Sequence, residues 1–145
     1  GMEYVDRDGQ KKYPYVIHRT SIGCYERTLA LLIEKYAGAL PAWLSPVQAR
    51  ILPIADKHHD YAFKVQSKLI AQGIRVEVDT RNEKIGYKIR EAQMEKIPYM
   101  LVIGEKETEN GTVAVRSRKQ GDLGVMPVDE FAAKITEEIK NKVNN

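Results

Sequence analysis

The side chains best equipped for chemistry fall into three polar clusters. Thr80-Arg81-Asn82-Glu83-Lys84 is the first, Gly104-Glu105-Lys106-Glu107 the second and Arg116-Ser117-Arg118-Lys119 the third. Together they supply carboxylate, amide, ammonium and guanidinium groups, a set suited to unstacked nucleobases. A carboxylate accepts from guanine N1–H and N2–H2, while Arg, Lys and Asn serve carbonyl oxygens. The plain alternatives are helix caps with first-turn charges for the first cluster, and solvated edge strands that discourage aggregation for the other two. Other chemistry is poorly provided for. The chain has no phosphate loop, dinucleotide fingerprint, nucleophile elbow or metal-spaced cysteine pair. His58 and His59 are adjacent at a helix start and diverge, so they read as solvent-exposed rather than as metal ligands. Cys24 has no base beside it and reads as a small packed thiol.

The elements that must position these clusters follow from hydrophobic period. Ala49 to Ile54 predicts a short apolar strand with Pro53 near its end. Ala62, Val65 and Leu69 mark a helical face closed by Gly73, and Ile74 to Val78 alternates as a strand should. Ile85, Ile89 and Ala92 predict the next helix, ending before Pro98. Tyr99 to Ile103 reads as a strand buried on both faces. Asn110-Gly111 predicts a tight hairpin onto Thr112 to Arg116. Phe131, Ile135, Ile139 and Val143 predict a last helix, capped by Asp129 with Val128 as its staple. Two strand–helix–strand units require right-handed crossovers and a mostly parallel sheet, to which the hairpin adds an antiparallel strand. The fold class is α/β. A two-residue turn pairs Glu109 with Thr112, Glu107 with Ala114 and Glu105 with Arg116. Glu107 and Arg116 then become diagonal neighbours about 7–8 Å apart. Asn82 and Lys84 start from the same carboxyl edge, so the four residues are expected to converge on one rim.

The first 45 residues read differently. Asp8-Gly9 predicts a turn between Tyr4-Val5 and an extended run from Tyr13 to His18. A helix follows, with Tyr25, Leu29, Leu32 and Tyr36 at its spacing and Gly38 as its stop. Residues 38–46 contain Pro41 and Pro46 and no sustained period, as a linker would. One hairpin and one helix cannot bury both apolar faces alone, so this piece reads as the torn edge of something larger.

Composition narrows the class. The 145 residues are 43% hydrophobic and 30% charged, enough for a packed core, and 23 basic against 20 acidic residues leave only +3. That balance does not announce nucleic-acid binding by itself. No run is long and apolar enough for a membrane-spanning helix, and no secretory leader is evident. Gly1 before Met2 reads as an addition. A single cysteine excludes internal disulfides and fits a reducing cytoplasm.

Two strings carry a family resemblance. VIHRTSIGCYERTLALLIEKYAG, residues 16–38, resembles motif 3 of class II aminoacyl-tRNA synthetases in its threonyl form. VDTRNEKIGYKIREAQMEKIPYMLVIGEKE, residues 78–107, is similar to the anticodon-binding domain of bacterial threonyl-tRNA synthetases. PAWLSPVQ at 41–48 and VAVRSRKQGDLG at 113–124 extend the match over essentially the whole chain. The resemblance implies that residues 1–40 end a catalytic domain, that 41–46 link, and that 47–145 form the anticodon-binding domain. It also implies the fold of that domain, a five-stranded mixed sheet flanked by helices, preceded by a hairpin–helix remnant of the catalytic domain.

By the same resemblance the parent is a cytoplasmic, homodimeric ligase that charges threonine tRNA using Mg-ATP and zinc. Arg27, the Arg of G-x-x-E-R, matches an ATP contact, and His18, the His of I-H-R, matches a zinc ligand whose companions lie upstream. This piece is therefore expected to be inactive, to bind neither cofactor, and either to pack its N-terminal segment on the anticodon domain or to self-associate through it. Cys24 falls where many relatives carry Ser or Thr. Threonine codons are ACN, so each cognate anticodon ends in GU, and Asn82, Lys84, Glu107 and Arg116 match the residues that read those bases. Two alternatives stand beside this reading. One is a freestanding synthetase-like RNA-binding or interaction module. The other is a small-ligand α/β domain, which the missing glycine-rich loop disfavours.

Overall fold

The computed structural model describes residues 1–144, in two compact units, one over Gly1–Leu31 and the other from Leu32 onward. In the first unit, β1 (Tyr4–Val5) pairs antiparallel with β2 (Lys11–Lys12). The expected strand from Tyr13 to His18 does not form; those residues are exposed coil, because the two-residue ladder offers no further partner to pair with. Helix α1 (Tyr25–Lys35) forms at the expected spacing and buries none of its residues. The Gly38 N–H donates to the Ile33 carbonyl and ends it. Cys24 is exposed rather than packed, its thiol 2.8 Å from Glu26 Oε2.

The second unit contains the expected α/β sandwich. Its strands are β3 (Ala49–Pro53), β4 (Val76–Val78), β5 (Tyr99–Ile103), β6 (Thr112–Ser117) and β7 (Gly121–Pro127), in the order β4-β3-β5-β6-β7. β3 runs parallel to β4 and β5, while β5–β6 and β6–β7 are antiparallel. Helices α2 (His59–Ile70) and α5 (Val128–Lys140) cover one face and α3 (Ile85–Met94) the other. Period-two alternation makes the division. Ile51, Leu101, Val113 and Val115 join Leu69, Phe131 and Ile135 on the first face; Leu52 and Met100 meet Ala92 on the second. Phe131 and Tyr99 stack edge to face with centroids 5.5 Å apart.

Two expectations give way here, and the hydrophobic period did not mark one strand. Residues 105–110 form a helix, α4 (Glu105–Asn110), instead of a hairpin arm. Asn-Gly serves helix ends as well as hairpins: Gly111 sits at φ 68 and its N–H caps the helix on the Glu107 carbonyl. The residue before α5 is Pro127, and Val128 opens the helix, so Asp129 lies in its first turn and complements the dipole instead of capping. The strand β7 went unread because Gly121 and Gly124 break its alternation and a bulge falls opposite Val115/Arg116.

The proline-bearing segment is packed, not solvated. Pro41 and Ala42 are buried, the Gln48 amide donates to the Ala42 carbonyl at 2.8 Å, and Arg75 donates to the Ser45 carbonyl. Arg118 donates to the Ala39 and Leu40 carbonyls. Within residues 41–46, expected as a linker, Pro41, Ala42 and Ser45 are thus buried in this unit, while Pro46 is exposed.

Candidate functional site

The loop between β4 and α3 carries Asn82 and Lys84, both exposed at the carboxyl edge of the sheet. Lys84 is the residue that leads into α3. Beneath them lies a buried polar frame. Asp79 directly follows β4 and is 7% exposed; its Oδ1 accepts from the Arg81 backbone N–H at 3.1 Å and from Nε at 2.9 Å, and Oδ2 accepts from Nη2 at 2.6 Å. Arg81 also pairs with Glu91 at 2.5 Å. The Arg81 guanidinium holds the Asp79 carboxyl below the ordinary carboxylate range, against the opposing push of burial. Under the loop, the buried Lys88 ammonium donates to the Pro53 carbonyl at 3.2 Å and the Asp79 carbonyl at 3.1 Å. One cation thereby ties the ends of β3 and β4 together. Lys88 occupies a core position of the Ile85–Ile89–Ala92 stripe, and a lysine there is the signal that sequence reasoning passed over.

Glu107 lies on α4, just beyond the carboxyl end of β5. Its Oε2 accepts from the Gly104 N–H at 2.9 Å. A Cβ on Gly104 would stand 2.9 Å from Ile54 Cδ1 and 3.1 Å from that same Oε2, so a side chain at 104 would crowd the carboxylate. Glu107 is therefore held in place by the backbone of its own helix start, leaving Oε1 outside that hydrogen bond.

Arg116 is elsewhere. The observed register pairs it with Met100, and Ala114 with Val102. Glu107 and Arg116 are not diagonal neighbours, because the hairpin on which that rested does not form. Arg116 shares the α3 face with Met100 and sits three residues short of Ile103, roughly 10 Å back from the carboxyl edge at about 3.3 Å per residue. The structure thus brings Asn82, Lys84 and Glu107 to one edge and sets Arg116 behind them on the α3 face, half-buried. Arg27 on α1 and His18 before it are exposed.

A groove of ≈ 290 Å³ runs beside the Asp79–Arg81 pair. Its cations are already matched: Arg50 donates to Glu77 at 3.1 Å and Glu95 at 2.7 Å. That internal compensation leaves little reason for a small anion to bind. Among the described residues no group of three or more His, Cys, Asp and Glu could hold a metal ion. His58, expected in solvent, is 3% exposed.

Comparison with known proteins decides the family. Residues 48–138 match the model described as "Anticodon binding domain". The chain belongs to the anticodon-binding domain family. It is 62% identical over 144 residues to threonine–tRNA ligase of Clostridium perfringens, covering 99% of this chain and 22% of that protein. Threonine–tRNA ligase of Acetivibrio thermocellus is 61% identical over 143 residues, again 99% and 22%. Among solved structures, the RNA binding domain of threonyl-tRNA synthetase from Cryptosporidium parvum Iowa II superposes with a TM-score of 0.73 at 37% identity, covering 77% of this chain and 28% of that one. The chain spans about a fifth of the length of the ligases it matches. The anticodon-binding fold accounts for the five-stranded mixed sheet flanked by helices.

Proposed function

We propose that this chain is the tRNA-reading C-terminal part of a threonine–tRNA ligase, and that its carboxyl edge recognises the G and U that end threonine anticodons. The observation that carries the reading is the 62% identity to threonine–tRNA ligase over 99% of the chain. Glu107 is the reader of guanine, its carboxylate facing two Watson–Crick donors that adenine lacks. Asn82 and Lys84 serve base carbonyl oxygens from the neighbouring loop. Arg116, set back on the α3 face, adds a guanidinium that approaches the bound strand from the sheet. Stacking and phosphate contacts supply most of the affinity, and these four residues the discrimination.

In this reading residues 1–40 close the catalytic domain of the parent, an ATP-dependent, homodimeric enzyme of the cytoplasm. Arg27 belongs to its ATP site. His18 is one zinc ligand, but a lone exposed imidazole does not make a four-coordinate site, so the remaining ligands come from outside this chain. The 145-residue piece itself neither activates threonine nor charges tRNA. It self-associates through the exposed Tyr15, Val16 and Ile17.

The test is titration of the chain with an anticodon stem-loop ending in GU and with single-base variants at G and at U. Preference for the cognate loop by about tenfold or more at each base is expected. Equal affinity for all three overturns the reading.

A further inference from the structure

The reading of guanine by Glu107 requires that α4 hold its place, yet this helix buries none of its six residues. So short a helix is not stable by itself and must be fixed by contacts outside it. What reaches from its body toward the interior is Thr108. The Thr108 Oγ1 lies 2.8 Å from the Gly104 carbonyl oxygen and 3.2 Å from Nδ1 of His58, which is 3% exposed at the start of α2. Proton counting settles the direction of both bonds. The hydroxyl has one hydrogen, and a carbonyl oxygen can only accept, so the hydroxyl donates to Gly104 and His58 Nδ1–H must donate to the hydroxyl. The opposite arrangement would set two acceptors against each other at 2.8 Å. His58 Nε2 faces Glu105 Oε2 at 3.9 Å, and Glu105 in turn pairs with Lys57. Gly104, the residue that Thr108 grips, is also the one whose N–H holds Glu107 Oε2.

We infer that His58, as an Nδ1–H donor to Thr108, is a positioning residue for anticodon discrimination, setting the Gly104–Glu107 pair from the start of α2. The inference rests on the proposed reading of guanine by Glu107. His58 touches no base in this account and acts through Thr108 alone.

Asparagine and glutamine separate this role from packing. The Asn amide group falls near the Nδ1 position of a histidine, whereas the Gln amide reaches toward Nε2. Stem-loops ending in GU, and the same loops with G changed to A, are titrated against wild type, Glu107→Gln, His58→Asn, His58→Gln, Thr108→Ser and Thr108→Val. The ratio of the two affinities is the readout. His58→Asn and Thr108→Ser should keep the wild-type ratio within about twofold, while His58→Gln and Thr108→Val should lower it by about fivefold or more. As a second measurement, independent of any variant, the imidazole ¹⁵N resonances of the wild-type chain should show Nδ1 protonated.

Equal ratios for His58→Asn and His58→Gln, an unchanged ratio in Thr108→Val, or an unprotonated Nδ1 each overturn the inference. If Glu107→Gln collapses the ratio while His58→Gln and Thr108→Val leave it intact, the positioning role falls and the reading of guanine stands. If Glu107→Gln leaves the ratio unchanged, that reading falls, and the positioning role with it.

Discussion

The two units of the chain differ in what holds them. From Leu32 onward, five strands and four helices enclose two apolar clusters, with Phe131, Leu52 and Leu101 wholly withdrawn from water. Over Gly1–Leu31, no residue is buried, and Tyr15, Ile17 and Tyr25 stand more than three-quarters exposed. Both stretches have apolar residues at regular spacing. The difference teaches that amphipathic pattern specifies an element but not its partner: α1 has the stripe of a packed helix and buries none of its residues.

The largest expected effect tests the first half of that contrast. Phe131→Ala should cost about 3–5 kcal/mol in urea unfolding, since it opens a cavity under Tyr99, whereas Leu29→Ala on α1 should stay within about 0.5 kcal/mol. Comparable losses at the two sites would mean that the N-terminal unit has a core of its own.

Truncation sharpens the boundary. Removing residues 1–31 should leave urea stability unchanged within about 0.5 kcal/mol and give a monomer by sedimentation. Removing 1–46 should cost about 2 kcal/mol or more, because the Gln48 amide and the Arg118 guanidinium lose carbonyl partners and Ala42 leaves the core. If both truncations behave alike, residues 41–46 are a linker after all.

A smaller effect, about 1–3 kcal/mol, is expected for Asp79→Asn, which removes the negative charge facing Arg81 and turns one of the two accepting oxygens into a donor. Its pH dependence has a definite sign. The folded pKa of Asp79 is lowered, chiefly by Arg81, so the stabilisation is complete above the ordinary value of 3.8 and disappears as pH falls through the lower folded value. The gap between wild type and Asp79→Asn should therefore be constant near neutrality and close only in strong acid. A gap that closes between pH 5 and 7 would point to a different titrating group.

The same contrast explains what could be read from the sequence. Ile51, Leu101, Leu69 and Ile135 lie where period two or 3.6 put them, because burial on a sheet or helix face leaves a regular trace. Asn82 and Lys84 lie in the loop between β4 and α3, a position that the strand signal before them and the helix signal after them determine. Glu107 and Arg116 were not related correctly. Asn110-Gly111 satisfies both a hairpin turn and a helix end, and only the docking of residues 105–110 at the sheet edge chooses between them. His58 and Lys88 are polar groups in the interior, and their partners are backbone carbonyls and a threonine hydroxyl that no sequence spacing announces.

The proposed recognition of guanine by Glu107 is most directly tested by a double-substitution cycle. Wild type and Glu107→Gln are each titrated with a stem-loop ending in GU and with its G-to-A counterpart. The substitution preserves size but turns one acceptor into a donor, so it should cost about 1–3 kcal/mol on the cognate loop and much less on the A-containing loop. An equal loss on both loops, or none on either, would contradict the account and leave Glu107 as a residue that merely caps the start of α4 through the Gly104 N–H.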